Sequence, residues 1–496
     1  MNSSLVLSYL RFRDVPPKEA CFCILALFLL RCVTEDSVVA RRRREEGADE
    51  ADIRLLSELK VPDAASFNFL YSGKAQQGLA ERIDAALSAL ANANPDLLGD
   101  VFAAISFERD LVVPPRRKDQ LLGDVLTDLA PGLFMSEERE QGLVPRATIV
   151  NELLDNIAGD AGRDVTVTIA PRALVRLMTQ LGAPTAGERI YDPACRLGEL
   201  LSEASLCAWG DSALAAGIPS GSEADATAFY GETDDPVLVS IARMSLLLQW
   251  RYQHHVRHGA SLLMPAFTKA PNQLDTFELV MSTLPAGIAD TSVPDQRRYV
   301  HDPFRRFHRG IPPKQHPEVA FLQHMVESMD PAAGRMVGLF TRGILTRSGE
   351  EQEVRRRLIE ESLVDAVIAL PEKLLYESRL APVLLVLRRD CNTDDVLFVD
   401  ATEHFKSGRH QNVLEAEHVE AILDAVAQRQ DVSGFARVAT IDEIAENDYS
   451  LHLPKYVHHV GGKSKSLDEL RIVHRELMKA LANKSKAVNA LLKQKG

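Results

Sequence analysis

The first part of the chain, to about Val144, shows the apolar spacing of helices. Between Ala80 and Leu90, the residues Ile83, Ala86, Leu87 and Leu90 fall on one face, and Asn94-Pro95 ends the pattern. The run Cys21 to Leu30 is apolar all round and stops at Arg31, short of the ~20 residues that a bilayer span needs. It predicts one buried helix of a bundle. Arg11, Arg13 and Lys18 stand in front of it as in a signal peptide, but no small-residue cleavage site follows. Arg41 to Arg44, met at once by Glu45 and Glu46, predict a solvated loop or helix face, with a DNA-contacting patch as the minor alternative.

Around Pro171 the pattern changes. Arg172 to Leu181 is an amphipathic helix with Leu174, Leu177 and Met178 inward. Arg189 to Asp192 then predicts a short strand ending in an acid, with a helix from about Glu199. Phe229 to Glu232 predicts a second strand end, Val237 to Leu248 a second helix, and Phe277 to Ser282 a third strand. Met336–Phe340, Ala366–Leu370, Val383–Leu387 and Val396–Val399 predict further buried strands, with a helix around Glu353 to Ile359. Strands apolar on both faces and alternating with helices predict an α/β fold with a mostly parallel sheet covered by helices. Ligands in such folds bind at the carboxyl ends of the strands.

The end of the chain reads as a separate element. Gly461-Gly462 is a flexible joint, and Ser466 with Glu469 fits a capping box. Leu470, Val473, Leu477, Ala480, Ala487 and Leu491 then hold a and d heptad positions, broken only by Lys484. The pattern fits a helix that pairs with a partner as a coiled coil and equally one that folds back on its own domain. The division that follows is a helical N-terminal domain over 1–144, an α/β domain over 145–460 and a C-terminal helix over 461–496.

Composition narrows the function. A length of 496 residues suits two or three domains of ~100–200 residues each. The formal charge of −13 is unlike that of a protein holding DNA by itself, so any DNA contact needs a local basic patch or a basic partner. The cysteines Cys21, Cys23, Cys32, Cys195, Cys207 and Cys391 show no zinc spacing and read as free thiols of a reducing cytoplasm. His254-His255 and His458-His459 are adjacent pairs that cannot converge on one metal from a helix or strand. Arg355 to Arg357 opens a helix beside Glu350, Glu351 and Glu353 and predicts a solvated, ion-paired face.

Further segments stand in a fixed order: Gly310-Ile311-Pro312-Pro313-Lys314, Ala320 to Met325, Val354 to Ile359, Ile368 to Leu374, Gln411 to Leu414 and Asn447 to Val457. In order and spacing, the whole set resembles the modification (M) subunit of type I restriction-modification systems, a family of adenine-N6 DNA methyltransferases. The resemblance implies a Rossmann-like, S-adenosylmethionine-dependent methyltransferase domain after the N-terminal helices. It also implies double-stranded DNA as substrate and a specificity subunit as partner, with a restriction subunit or a second M-like subunit beside it.

The positions that the resemblance assigns to the chemistry all depart from the family pattern. The cofactor loop Asp-Pro-Ala-Cys-Gly-Ser-Gly-Gly reads Asp192-Pro193-Ala194-Cys195-Arg196-Leu197-Gly198-Glu199, so Gly198 alone remains of its three glycines. The ribose-binding Glu falls on Thr233, with Glu232 one residue away and facing the opposite way unless the turn shifts. The Gly-Asp that contacts the cofactor adenine is Gly259-Ala260. The catalytic Asn-Pro-Pro-Phe is Thr283-Leu284-Pro285-Ala286, which lacks both the amide and the stacking ring. The Phe-Tyr-Thr-Pro before the first α/β helix is Thr168-Ile169-Ala170-Pro171. The expected cofactor-binding positions are thus Pro171, Asp192, Pro193, Ala194, Gly198, Glu232, Thr233 and Ala260. These substitutions predict a catalytically silent, M-like scaffold. Two alternatives stand beside it: an active adenine-N6 DNA methyltransferase with an unusual site, and a module in which Arg196 and Glu199 define a pocket for another ligand.

Overall fold

The computed structural model describes residues 4–45, 59–130, 143–161, 170–215, 227–249, 254–283, 296–375, 381–390, 393–408 and 411–458. The candidate C-terminal helix, Thr168, Ile169, and Leu284 to Ala286 lie outside these residues.

The N-terminal layer consists of α1 (Ser4–Arg11), α2 (Pro17–Glu45), α3 (Phe67–Ser72), α4 (Leu79–Ala93), α5 (Pro95–Leu98), α6 (Pro115–Leu129) and α7 (Leu143–Ala161). The apolar run Cys21–Leu30 is the buried centre of α2, every residue of it at most 2% exposed. Helices can pack on all sides of such a segment, which explains why it shows no polar face. The division expected at 144/145 falls in the first turn of α7, which packs on α1 and α2.

The α/β part runs α8 (Arg172–Gly182), β1 (Arg189–Asp192), α9 (Glu199–Ala215), β2 (Ala228–Thr233), α10 (Pro236–Leu248), β3 (His254–His258), β4 (Thr268–Ala270), β5 (Gln273–Leu274), β6 (Leu279–Thr283), α11 (Gln296–Val300), α12 (Glu318–Glu327), β7 (Arg335–Thr341), α13 (Glu350–Glu360), β8 (Val364–Ala369), β9 (Pro382–Arg388), β10 (Asp395–Asp400), α14 (Ala416–Gln428), β11 (Ala436–Thr440) and α15 (Ile441–Glu446). The sheet order is β11-β10-β8-β9-β7-β6-β1-β2-β3. Neighbours are parallel except where β9 meets β7 and β8, and where β11 meets β10. One sheet face is covered by α8, α9 and α14, the other by α12, α13 and α15, as the two-sided apolar strands require.

The chain winds outward from β1 in one direction through β2 and β3, and in the other through β6 and β7. The crevice between β1 and β6 is therefore the switch point, where open α/β sheets bind ligands. Two of the departing motifs, the loop after Asp192 and Thr283 at the end of β6, stand at its carboxyl edge.

The N-terminal layer also packs against the α/β part. Leu238, Ile241, Met244, Leu247 and Leu248 of α10 share one core with α2, α4 and α6. Lys18 reaches Asp235 at 2.6 Å, and Asp235 caps α10 by accepting from the Val237 and Leu238 amides. One expected surface group is placed otherwise. Arg356 and Arg357 pair with Glu353 and Glu360 in solvent, but Arg355 is 4% exposed and donates to the carbonyls of Ile344, Arg347 and Tyr449. Three adjacent positions on a helix point in three directions, so a charge run does not share one environment. No helix among the described residues is long and apolar enough to cross a membrane.

Candidate functional site

Asp192 ends β1 at 2% exposure. Its Oδ1 accepts from the Ala194 amide and from the Ser282 hydroxyl, each at 2.9 Å, which ties the ends of β1 and β6 together. Burial pushes its carboxyl up to about 7, and the two hydrogen bonds only partly offset this. The Pro193 carbonyl accepts from the Ser261 hydroxyl, and the Cys195 amide donates to the Glu232 carbonyl at 2.9 Å. The loop is thus sewn to β2 and to the segment after β3.

The middle of the loop holds the substituted positions. Arg196 has a φ of +45° and is 5% exposed, its guanidinium among Glu199, Asp192 and Asp234. Burial holds the guanidinium below its ordinary range, and the three carboxylates pull the other way. Leu197, 1% exposed, is buried in the core of the N-terminal helices with Ile241 and Met244. Gly198 takes a φ of +81°, a conformation open to glycine, and a Cβ there would stand 3.4 Å from that of Ala242. Glu199 opens α9 half-buried, with Oε2 sealed from solvent and without a hydrogen bond; burial raises its pKa.

The end of β2 keeps its register. Pairing with β3 runs unshifted from Phe229↔His254 to Thr233↔His258, so Glu232 and Thr233 do not exchange faces. Glu232 is wholly buried and turned inward, accepting from the Tyr191 hydroxyl at 3.0 Å and the Ala266 amide at 3.1 Å. Burial pushes its carboxyl up to about 7. The Tyr191 hydroxyl also meets His324 Nε2 at 3.3 Å, and His324 Nδ1 meets Arg306 Nη1 at 3.3 Å. Arginine only donates, so Nδ1 accepts and Nε2 carries the proton toward Tyr191. Burial keeps this imidazole neutral, its pKa well below the usual range. Arg306 is fixed by Asp302 at 2.6 Å and by the carbonyls of Ser261 and Leu262 at 2.7 and 2.9 Å.

Asp192, Pro193, Ala194, Gly198, Thr233, Ala260 and Thr283 therefore meet at one edge of the sheet, while Glu232 faces into the protein. Thr283 is 4% exposed and Ala260 is half-buried. Pro171 stands just before α8, and its carbonyl accepts from the Leu174 and Val175 amides at 2.9 and 3.0 Å. Sequence reasoning passed over Leu197, Asp234, Ser261, Ser282, Arg306 and His324. Of these only Leu197 carried a signal, a large apolar residue between Arg196 and Gly198 in a loop.

With this geometry, the match to a known family is specific. Residues 148–464 match the N-6 DNA Methylase family. The chain belongs to that family. It is similar to the MjaIX methylase subunit of a type I restriction enzyme from Methanocaldococcus jannaschii, 25% identical over 88% of this chain and 80% of that protein. It is 27% identical to the MjaVII methylase subunit of the same organism, over 62% of this chain and 52% of that protein, and so spans about half of that relative's length. The Mycoplasma pneumoniae MpnII methylase subunit matches at 24% identity over 62% of this chain and 55% of its own length. The type I methyltransferase subunit of Streptococcus thermophilus has the same fold, with a TM-score of 0.74 at 21% identity over 92% of this chain and 98% of that one. Within the N-6 DNA methylase family, the site described above is where the altered loop, β2 end and β6 end come together.

Proposed function

We propose that the chain is an M-subunit-like component of a type I restriction-modification or related DNA-modification and defence assembly, in which the methyl-transfer site is closed. The observation that carries this is Arg196. A long cation is folded into the loop where the family has glycine, among Asp192, Glu199 and Asp234, and the adjacent Leu197 anchors the loop in the helical core.

The residues present do not fit S-adenosylmethionine. The family's ribose acid is replaced by Thr233, and Glu232 faces Tyr191 and Ala266 instead of the crevice. Ala260 offers a methyl group where a carboxylate would accept a hydrogen bond. Each lost charged hydrogen bond costs about 1.5–3 kcal/mol, and the losses fall in one site. At Thr283, a hydroxyl stands where an amide would hold the target amino group.

On this reading the chain is a cytoplasmic scaffold with a division near 144/145. A specificity subunit supplies DNA recognition, the C-terminal helix over 461–496 provides docking, and a restriction subunit or a second M-like subunit completes the assembly. The test is a methyl-incorporation assay on duplex DNA, run with the chain alone and with the specificity subunit that co-purifies with it. No adenine-N6 methylation is expected in either case. Incorporation would mark the chain as an active adenine-N6 DNA methyltransferase.

A further inference from the structure

The segment from 296 to 316 carries Arg297, Arg298, Arg305, Arg306, Arg309 and Lys314 against a single acid, Asp302, in a chain whose net charge is −13. The structure divides these cations into two sets. Arg306 and Arg309 are each 2% exposed and are used internally, Arg306 on Asp302 and Arg309 on Glu327 and Glu361. Arg297, Arg298, Arg305 and Lys314 are exposed, and no carboxylate of the described residues pairs with them. Surface arginines elsewhere are of two kinds: Arg13, Arg109, Arg116 and Arg257 are exposed with no carboxylate partner among the described residues, whereas others are ion-paired. Arg11, Arg356, Arg388 and Arg437 are all paired with Asp or Glu.

The segment that carries Arg297, Arg298 and Arg305 is anchored beside the altered loop, and Lys314 follows it by a few residues. Tyr299 and Phe307, 4.7 Å apart edge to face, pack with Leu262 and Phe321 against Ala194 of the altered loop and against Ile311. Arg306 locks the same segment to the carbonyls of Ser261 and Leu262. Arg305, at a φ of +55°, is turned outward between these anchors. The backbone that carries the cations is therefore rigid where it meets Ala194 and Leu262, while the charged ends stand in solvent.

We infer that Arg297, Arg298, Arg305 and Lys314 form a contact surface for the phosphate backbone of double-stranded DNA, placed beside the closed crevice. The inference deepens the proposed function and rests on it for the nature of the partner. Unpaired cations cost an acidic protein nothing in lost ion pairs, and each phosphate they neutralise releases condensed counterions. Such contacts hold and orient a duplex without reading its sequence. They need neither cofactor nor an intact catalytic loop, so DNA holding survives where methyl transfer does not.

The test is fluorescence anisotropy of a labelled random-sequence duplex titrated with the full chain at several salt concentrations. The quadruple variant Arg297→Gln/Arg298→Gln/Arg305→Gln/Lys314→Gln is compared with a control in which the ion-paired Arg356 and Arg388 become Gln. The quadruple variant is expected to bind at least about tenfold more weakly at low salt. The slope of log K against log salt should fall by about 3 to 4 units, near 0.9 per lost phosphate contact. The control should leave both unchanged. Equal affinity and slope in the quadruple variant, or no binding by the parent chain, would overturn the inference. Methyl incorporation does not enter this readout, so a failure of the closed-site reading is seen separately.

Discussion

Gly231 on β2 lies directly against Cys195 in the loop after β1: a Cβ built on Gly231 would stand 2.5 Å from the Cys195 Sγ and 2.9 Å from its Cβ. The contact sets how closely the loop can approach the sheet, and the Cys195 amide uses that approach to reach the Glu232 carbonyl. Gly231→Ala should therefore destabilise the protein by at least about 1–3 kcal/mol, the usual range for overpacking. Cys195→Gly removes both clashing atoms and should recover part of that loss. Urea unfolding of the two single variants and the double variant measures the coupling, and strictly additive effects would show that the two residues do not press on each other.

Leu197 joins the loop to the N-terminal helices. Leu197→Ala is predicted to cost about 2–5 kcal/mol, as for other fully buried leucines, and to lower the protection of the Cys195 and Gly198 amides from hydrogen exchange. A loss of stability that left both amides equally protected would mean that the loop holds its shape without the helical layer.

Asp192 gives a pH signature whose sign is fixed. Its carboxyl is raised to about 7 in the folded protein against an ordinary value near ~3.9, so the folded state binds the extra proton between these limits. Its contribution to stability is thus most favourable at acidic pH and is lost as pH rises through about 7. Asp192→Asn keeps an oxygen to accept from Ala194 and Ser282 and removes the titration. The variant should gain on the parent by a few kcal/mol at pH 8 and by much less at pH 5, at ~1.4 kcal/mol per pH unit. Chemical denaturation at both pH values checks this, and equal differences at both would remove Asp192 as the titrating group.

Neighbouring arginines on α13 should separate cleanly. Arg355→Met strips donors from three carbonyls and is predicted to cost at least about 2 kcal/mol. Arg356→Gln, at an exposed pair, should leave the unfolding midpoint unchanged. Equal effects at the two positions would contradict the burial of Arg355.

Much of the fold was legible because buried strands announce themselves as short apolar runs: β1, β2, β6, β7, β8, β9 and β10 each overlap a predicted segment, most of them running one or two residues past its ends. β3 was missed because His254-His255-Val256-Arg257-His258 stands at the sheet edge, where its exposed residues carry no apolar signal. β11, at the opposite edge, was missed because Ala436-Arg437-Val438-Ala439-Thr440 holds a single large apolar residue, its buried positions being alanines. At the candidate site, the departures from the family pattern could be read position by position. What could not be read was direction. That Arg196 folds inward, that Leu197 belongs to the core of another layer and that Glu232 hydrogen-bonds Tyr191 are consequences of tertiary packing. The inward course of Arg355 is a further case, since its carbonyl partners lie 94 residues away at Tyr449 as well as nearby.

On the proposed reading, the chain's own side chains fill the cofactor crevice. Calorimetric titration with S-adenosylmethionine tests it most directly, on the parent chain and on Arg196→Gly/Glu199→Gly, with an unfolding curve confirming that the variant is folded. No heat of binding is expected from the parent, and measurable heat from the variant. Micromolar binding by the parent chain would contradict that reading.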